Sequence, residues 1–264
     1  MTKKKAPDSG LVESVEGEPI VLVGQPDSIQ GELYVRNPGE KKIVVRDAQV
    51  RAATLRATPM SFRLAPIPLR PGLRRRVPLA FAIDPGTPPG EYKGELEIDG
   101  SVHPVVLHVT EKIRLDISPD PLVVPNLPGE TVVKRVIFRN LGNVPLTIGE
   151  IGGVPLDDEL LQCRTFRAAL SALGEETKSL EAYALDVARQ LKGVVEQAGL
   201  LRVHNAAGVV ELEPGAMSAV DLEIRLPKTL DKRTRYRGEA PLYTSSLRFF
   251  VVPAPREQTT NNPK

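Results

Sequence analysis

Three histidines are the first residues in this sequence whose side chains could do chemistry. His103 and His108 lie five positions apart in one predicted strand, so their imidazoles point to opposite faces, because side chains alternate along a strand. A metal site needs three or four converging ligands, and we therefore predict structural or surface roles. Asp99, Ser101 and His103 alternate like parts of a hydrolase triad. However, Asp99 and Gly100 are typical of a hairpin turn, and a triad draws its side chains from separate segments.

Cys163 is the only cysteine, so the chain forms no internal disulfide. It falls within an apolar helical stripe, which predicts a buried thiol, because a reactive thiolate needs an accessible and electropositive setting. The neighbouring Arg164 and Arg167 keep the alternative of an activated thiol open. No glycine-rich phosphate loop opens a helix, and no carboxylate pair stands out from the acidic surface residues. We predict a non-enzymatic protein without catalytic, cofactor-binding or metal-binding residues.

Two basic clusters could bind an anionic partner. The first contains Arg70, Arg74, Arg75 and Arg76, and the second contains Lys232, Arg233, Arg235 and Arg237. The alternative is that these charges protect exposed edge strands from pairing with another sheet. Only Tyr236 is interleaved with them, so the stacking platform of single-strand binders is missing. With 35 basic and 33 acidic side chains, the net charge of +2 does not favour nucleic acid as a partner.

The composition favours short strands separated by turns. The 264 residues include 25 prolines and 21 glycines but only 6 Phe, 5 Tyr and no Trp, a pattern typical of β-sandwiches. This length accommodates two ordinary domains. No apolar run approaches the ~18 residues of a membrane span. The N-terminus lacks the apolar core of a secretory signal, so we expect a cytoplasmic protein.

Two blocks of the sequence repeat. Residues 20–50 match residues 123–153 without a gap, and Asn37 falls on Asn140, an offset of 103 positions. Each copy contains a long strand that ends in Arg-Asn and is followed by a glycine two residues later. We assign this asparagine and glycine to a tight turn, because both tolerate positive φ. Residues 71–83 match residues 214–226 at an offset of 143. The repeat predicts a duplicated domain.

The change of offset from 103 to 143 places about 40 extra residues in the second copy, within about 154–213. Two apolar stripes there have helical spacing and predict helices over about 157–173 and 175–198, arranged as a hairpin or as a lid. A short β-hairpin over 200–212 follows. The first stripe contains Leu156, Leu160, Cys163, Arg167, Leu170 and Leu173. The second contains Leu180, Ala184, Val187, Leu191, Val194 and Ala198.

Residues 136–151, Val-Ile-Phe-Arg-Asn-Leu-Gly-Asn-Val-Pro-Leu-Thr-Ile-Gly-Glu-Ile, resemble the hallmark segment of Hydin-like and abnormal-spindle-type immunoglobulin-like domains. Residues 85–92, Pro-Gly-Thr-Pro-Pro-Gly-Glu-Tyr, are similar to a strand entry of bacterial immunoglobulin-like modules. The resemblance implies scaffolds and interaction modules with no shared catalytic residues. The helical insertion has no counterpart in that pattern.

These observations predict a mainly β protein of two tandem immunoglobulin-like β-sandwiches with an α-helical hairpin insertion in the second. The predicted domains are 19–112 and 113–255, between a flexible N-terminal segment 1–18 and a flexible tail 256–264. We expect a structural or adaptor protein that binds a protein partner or itself. The alternatives are a chaperone-like assembly factor with an exposed edge strand, and a small-ligand protein or enzyme with a pocket beside the insertion. The candidate partner-binding residues are Leu180, Val187, Leu191, Val194, Arg74, Arg75 and Arg76.

Overall fold

The computed structural model describes residues 12–13, 19–52, 60–98, 101–160, 163, 167, 179, 181–185, 187–189 and 199–254. The described residues are mainly β, as the sequence predicts. The chain separates into two units. The first comprises Met1–Ile113 with Leu141–Val144, and the second comprises Arg114–Asn140 with Pro145–Lys264.

Eight strands build the first unit: β1 (Val12–Glu13), β2 (Ile20–Gln25), β3 (Ser28–Arg36), β4 (Ile43–Ala52), β5 (Met60–Leu69), β6 (Arg74–Phe81), β7 (Gly90–Ile98) and β8 (Ser101–Val109). Their order is β1-β3-β2-β8-β7-β4-β5, and β6 pairs with β3. Only the β2–β8 pair is parallel among these strand pairs. Strand β1 lies in the segment for which the sequence predicts a flexible terminus.

Ten strands build the second unit: β9 (Leu115–Ser118), β10 (Leu122–Asn126), β11 (Thr131–Asn140), β12 (Leu146–Ile148), β13 (Gly152–Asp158), β14 (Leu200–Asn205), β15 (Val210–Leu212), β16 (Met217–Arg225), β17 (Tyr236–Leu242) and β18 (Ser245–Pro253). One sheet has the order β10-β18-β17-β13-β14-β16-β11-β9, and β12 and β15 form a two-stranded sheet. Strands β10 and β18 are parallel, like β2 and β8.

One hydrophobic core fills the first unit. Alternate residues of β3 and β6, such as Leu33 and Val77, belong to the same buried cluster as Leu96 and Leu107 of β7 and β8. Only one face of each of these strands contributes side chains to the core. The alternation of apolar and polar residues along these strands therefore predicts correctly which side chains are buried.

Strand pairing confirms the repeat. Leu33 pairs with Val77 in the first unit, and Val136 pairs with Val220 in the second, so the offsets of 103 and 143 are preserved in the register. The prediction that 20–50 and 123–153 match without a gap is wrong by one residue at the first strand. Ile20 is 8% exposed, whereas Val123 at that offset is 50% exposed. Leu122, which is buried, takes the place of Ile20, because 14 positions separate Leu122 from Val136 whereas 13 separate Ile20 from Leu33.

A buried asparagine ends the long strand in both units. Asn37 and Asn140 are 1% and 0% exposed, and among the described non-glycine residues only Tyr243 has a positive φ. The predicted positive φ of this asparagine is therefore wrong, but its turn role holds in the first unit, where the Asn37 Oδ1 accepts from the Gly39 N–H at 3.0 Å. The side chain also has a second role. The Asn37 amide donates to the carbonyl of Leu69 at 3.0 Å, and the Asn140 amide donates to the carbonyl of Leu212 at 2.9 Å. Each asparagine thus bonds the last carbonyl of a neighbouring strand.

The same asparagines hold the turn that leads into β6 or β16. The Asn37 carbonyl accepts from the Gly72 N–H at 2.9 Å, and the Asn140 carbonyl accepts from the Gly215 N–H at 3.0 Å. Gly72 and Gly215 have φ of +69° and +80° and follow a proline, as the third residue of a type II turn does. This Pro-Gly turn and its asparagine are equivalent in the two units.

The structure limits the segment of the sequence in which the helical insertion can lie. Strand β13 continues to Asp158 and β14 begins at Leu200, so the predicted helix start at about Asp157 is wrong. The segment between these two strands lies within the predicted range of about 154–213. Leu156 is buried on β13 and does not belong to a helical stripe. The described helical residues are Cys163, Arg167, 181–185 and 187–189. The second predicted helix and the hairpin depend on residues outside the described ones, so the hairpin stays a prediction. Within the described residues, no helix has the length and apolarity needed to cross a bilayer.

We expect Asn140→Ala to lower the free energy of unfolding by about 2 kcal/mol, because the Leu212 carbonyl would lose its buried donor. Urea-induced unfolding followed by circular dichroism measures this change. The matched control is Arg139→Ala at the neighbouring exposed position, for which we expect a change within about 0.5 kcal/mol. Equal effects of the two substitutions would contradict a structural role for the asparagine amide.

We expect Gly215→Ala to destabilise the chain by about 1 kcal/mol, because a Cβ at φ +80° strains the backbone even though nothing lies within 4 Å of it. Thermal unfolding measures the effect. Gly149→Ala is the control, since that glycine also has open space but lies outside the left-handed region. A stability loss at Gly149 as large as at Gly215 would mean that backbone strain is not the cause.

Candidate functional site

Strand β6 has no neighbouring strand, among the described residues, on the side that faces away from β3. Among the described strands, β6 pairs with β3 alone. Its equivalent in the second unit, β16, pairs with β11 on one side and with β14 on the other. We call the unpaired side of β6 the free edge. An open edge offers backbone N–H and C=O groups that can pair with another chain.

The hydrogen bonds at both ends of β6 show which residues point to the free edge. The Leu73 carbonyl accepts from Asn37, and the Ile83 N–H donates to the Pro26 carbonyl, so both residues point towards the β3 side. Because successive residues of a strand point to opposite sides, the backbone groups of the even-numbered residues point to the free edge. These residues are Arg74, Arg76, Pro78, Ala80 and Ala82. The second unit shows the same alternation. There the carbonyl of Asp221, the equivalent of Pro78, accepts a hydrogen bond from the N–H of Ala206, which follows β14.

Pro78 modifies the free edge. Proline has no N–H, so this position offers a carbonyl but no donor. Prolines occur in edge strands where their nitrogen faces away from the neighbouring strand. The side chains of Pro78 and Ala80 are both exposed. The donors at the end of the free edge are therefore the N–H groups of Ala80 and Ala82.

Three arginines mark the beginning of the free edge. The Arg76 guanidinium makes a bidentate ion pair with Glu32 of β3, with 2.5 Å between Nε and Oε2. This hydrogen bond and the charge of Glu32 raise the pKa of Arg76. The Arg74 guanidinium lies 4.5 Å from the centre of the Tyr34 ring, a cation–π contact. Arg75 is exposed and pairs with Val35 in the register. The predicted cluster Arg74, Arg75 and Arg76 therefore lies on a strand that pairs only with β3 among the described strands.

The second basic cluster has a different setting. Arg237 binds Glu159 at 2.5 Å and lies 5.1 Å above the ring of Phe250. Arg233 donates its backbone N–H to the Asp231 carboxylate in a loop. Tyr236 is buried, so its ring is not a surface for stacking. The cluster is split between a loop and a paired strand, and it does not form an edge like that of β6.

Within the described residues, the histidines and Ser101 do not form a group of side chains arranged for catalysis. Side chains at alternate positions of β8 are buried at Val105, Leu107 and Val109, which puts His103 and His108 on opposite faces, as predicted. Ser101 is the first residue of β8 and pairs with Ile98, while residues 99–100 lie outside the described ones. His204 approaches the Glu150 carboxylate at 2.8 Å on the surface. No group of three metal-ligating side chains occurs in the described part of the chain.

Cys163 is exposed, so the predicted burial of its thiol is wrong. The stripe that predicted burial counted Leu156, which lies on a strand, and Leu160, which is 49% exposed in a turn. Arg167, one helical turn after Cys163, is exposed as well. This face of the segment therefore points to solvent.

The second unit has a surface cleft of about 390 Å³ between charged side chains. Arg237 and Arg248 line it together with Asp157 and Phe250. Arg248 also makes a bidentate bond with Asp120, with 2.9 Å between Nε and Oδ1, which lowers the pKa of Asp120. Because both arginines are already bound to acidic side chains, the cleft offers little uncompensated charge for a ligand.

The predicted helical stripe is only partly described. Val187 is helical and half-buried, while the nearby Leu185 is 52% exposed. Leu180, Leu191 and Val194 lie outside the described residues. Their role in partner binding stays a prediction.

No protein-family model matches the chain, and no curated protein matches it by sequence. Several solved structures are weakly similar. A protein of unknown function from Porphyromonas gingivalis is 15% identical, with 89% of this chain and 96% of that chain covered and a TM-score of 0.26. The calcium binding domain CBD12 of CALX1.1 is 10% identical, with 90% and 80% covered and a TM-score of 0.25. Drosophila OTK, extracellular domains 3–5, is 15% identical, with 94% and 66% covered and a TM-score of 0.27.

The sequence analysis missed the central residues of this site. Ala80 and Ala82 carry no chemistry in their side chains, so only the pairing of β6 with β3 reveals that their backbone groups face away from β3. Pro78 is the signal that could have found the edge, because a proline within an alternating strand pattern indicates an edge strand. Glu32 and Tyr34, which position two of the arginines, could not be linked to them before the β3–β6 register was known.

We expect Glu32→Gln to increase retention of the protein on a heparin column, because it frees Arg76 and strengthens the positive field beside Arg74 and Arg75. Arg75→Gln should reduce retention. The salt concentration at elution measures both changes. Asp221→Asn is the control, because it removes the partner of Arg135 and changes the net charge equally, but in the second unit. If Asp221→Asn increased retention as much as Glu32→Gln, the column would be reporting net charge alone.

Proposed function

We propose that both units are immunoglobulin-like β-sandwiches, the finer form of the fold that the sequence predicts. Two features support this. Each unit has a parallel pair between an early strand and the last strand, β2–β8 and β10–β18. Each also has a tyrosine on the penultimate strand whose hydroxyl bonds backbone a few residues upstream, Tyr92 to the Pro88 carbonyl and Tyr236 to the Asp231 N–H. Immunoglobulin domains use a tyrosine at this corner in the same way.

We further propose that the protein is a non-enzymatic adaptor or structural protein that binds a protein partner at the free edge of β6. The observation that carries this proposal is the difference between equivalent strands, since β16 has a second neighbour and β6 has none among the described strands. An extended segment of a partner can add to such an edge, where main-chain hydrogen bonds provide affinity. The rest of the unit serves as the rigid support for that edge.

A chaperone-like assembly factor is a second candidate, because strand addition at the same edge could hold an unassembled client. An adaptor would keep the partner bound in its folded, assembled state, whereas an assembly factor would release it. The alternative of an enzyme or small-ligand protein with a pocket beside the insertion stays a prediction, since most residues of 161–198 lie outside the described ones. The predicted cytoplasmic location likewise stays a proposal, based on the single cysteine.

Site-specific photo-crosslinking in the cells that produce this protein tests the proposal. We expect the full chain with p-benzoylphenylalanine at position 80 to form an adduct with one protein, mapped by mass spectrometry to one extended segment. The matched control has the crosslinker in place of Glu223, the equivalent residue of β16, whose side chain is also exposed but whose edge is covered by β14. Absence of an adduct at position 80, or the same adducts at both positions, would contradict binding at the free edge.

A further inference from the structure

Two arginines lie directly opposite each other on the exposed face of one sheet in the second unit. Arg202 of β14 is the register partner of Arg225 of β16, and both side chains are exposed. Like charges at such positions repel and destabilise the strand pair. Within the described residues, neither guanidinium has a hydrogen-bond or ion-pair partner. We call these two residues the arginine pair, and the described part of the chain does not compensate its charges.

The same face of the sheet shows how a charge is balanced elsewhere. Arg135, on the neighbouring strand β11, forms a bidentate ion pair with Asp221, which lies directly opposite it on β16. The row that contains the arginine pair continues with Gly153 on β13 and Thr131 on β11. These four positions of the row therefore contain two cations and no acid. An anion from outside the chain would supply the charge that this row lacks.

Two acidic side chains lie near the arginine pair without binding it. The Glu150 carboxylate contacts His204 instead, at 2.8 Å. Glu223 precedes Arg225 by two positions on the same face and lies opposite His204. Among the described residues, it forms no ion pair with either arginine. The charge of Glu223 opposes the binding of an anion at the arginine pair, so its removal should strengthen such binding.

A cleft of about 350 Å³ opens beside Arg202. Gly152, Gly153, Leu200 and His204 also line it. Leu200 is 58% exposed, so the cleft has an apolar wall next to a cation. Its volume lies within the range of sites for small ligands. A glycine in a strand often marks a position where a ligand approaches the backbone closely.

The packing of the second unit does not require a glycine at position 153. The φ of Gly153 lies outside the left-handed region, and an added Cβ would meet the Leu200 side chain at 3.6 Å, an ordinary van der Waals contact. Glycine is also a poor strand former, and valine is a good one. The missing side chain at this exposed position leaves the cleft open next to Arg202.

We propose that this cleft and the arginine pair bind an aryl phosphate, with the ring over Gly153 beside Leu200 and the phosphate between the two guanidinium groups. The site lies in the second unit and uses no residue of β6. The inference is therefore independent of partner binding at the free edge.

The charge and shape of the site favour this ligand. A phosphate monoester carries about 1.5 to 2 negative charges at pH 7 and three acceptor oxygens. It can accept hydrogen bonds from two guanidinium groups, each of which is a planar fork of donors, whereas a carboxylate has one charge and matches a single fork. The ring follows from the surface beside Arg202, because a flat group can approach the backbone of Gly153 and contact Leu200.

The probe is phenyl phosphate, titrated into the ¹⁵N-labelled full chain and followed by the NMR shifts of backbone amides. Benzoate is the control that keeps a ring and one charge, and inorganic phosphate is the control without a ring. We expect phenyl phosphate to bind about tenfold more tightly than either control. The largest shifts should occur at Gly152, Gly153 and Arg202.

We expect Arg202→Gln and Arg225→Gln each to weaken binding of phenyl phosphate about tenfold, because each removes one donor fork. Arg135→Gln is the matched control, since it removes the same charge from the same face, and it should change binding less than about twofold. Glu223→Gln should strengthen binding about twofold. Equal weakening by Arg135→Gln and Arg202→Gln would mean that the ligand responds to net charge alone, which would overturn the inference.

Gly153→Val tests the position of the ring. Its side chain fills the cleft, so we expect about tenfold weaker binding of phenyl phosphate but less than about twofold change for inorganic phosphate. Circular dichroism verifies that the variant is folded. Unchanged binding of phenyl phosphate to folded Gly153→Val would contradict a ring in the cleft. The arginine variants and the amide shifts at Gly153 decide the question should Gly153→Val not fold.

Two further ligands distinguish the sources of the phosphate. A phosphotyrosine peptide that binds more tightly than phenyl phosphate would identify a phosphorylated protein as the source, and a peptide that binds no more tightly would identify a small aryl phosphate. A thymidine oligonucleotide has phosphodiesters with one charge each. If it binds more tightly than phenyl phosphate and loses affinity in Arg202→Gln, the arginine pair binds nucleic acid and the inference is overturned. Benzoate that binds as tightly as phenyl phosphate would overturn it as well.

Discussion

The rest of each unit depends on the amide of one buried asparagine. Asn37 follows β3 and Asn140 ends β11, and each side chain donates to the last carbonyl of another strand, at Leu69 or at Leu212. Its backbone bonds fix the Pro-Gly turn that begins β6 or β16. If leucine replaced this asparagine, the carbonyl at the end of the other strand would have no donor. If aspartate replaced it, a buried negative charge would repel the same carbonyl oxygen. One residue type therefore links three segments by hydrogen bonds: the strand that it ends, the strand whose last carbonyl it bonds, and the Pro-Gly turn.

The free edge results from a difference between the two units in how the strands after this asparagine pair. In the first unit, β4 and β5 form one long hairpin with a register shift between Val45 and Asp47. In the second unit, the equivalent hairpin divides into the β12–β15 pair and the β13–β14 pair, and β14 then reaches β16. The first unit keeps its hairpin on β7, so β6 has no second neighbour among the described strands. The edge is thus a consequence of strand pairing around the core.

Strand periodicity and the repeat were readable from the sequence because they depend on alternation, which the register preserves. The asparagine was misread because its role depends on the Leu69 and Leu212 carbonyls, which lie far along the chain. Leu156 was misread because it fits two periods at once. It alternates with Val154 as a strand residue does, and it is spaced from Leu160 as a helical residue is. The charges of Arg74, Arg75 and Arg76 were visible in the sequence. The direction of the Ala80 backbone could not be predicted from the sequence, because it depends on pairing with β3.

Protection and selectivity are the same physical property of the β6 edge. Arginines on an edge strand oppose pairing with a neutral strand, because their charge must be desolvated, and with a basic strand, because like charges repel. Pro78 opposes pairing with either strand, because one hydrogen bond is missing there. At Arg76 the ion pair with Glu32 compensates the charge, so the missing donor at Pro78 contributes to this opposition whatever the charge of the approaching strand. A neutral edge of the same geometry would pair more readily but would not discriminate by charge.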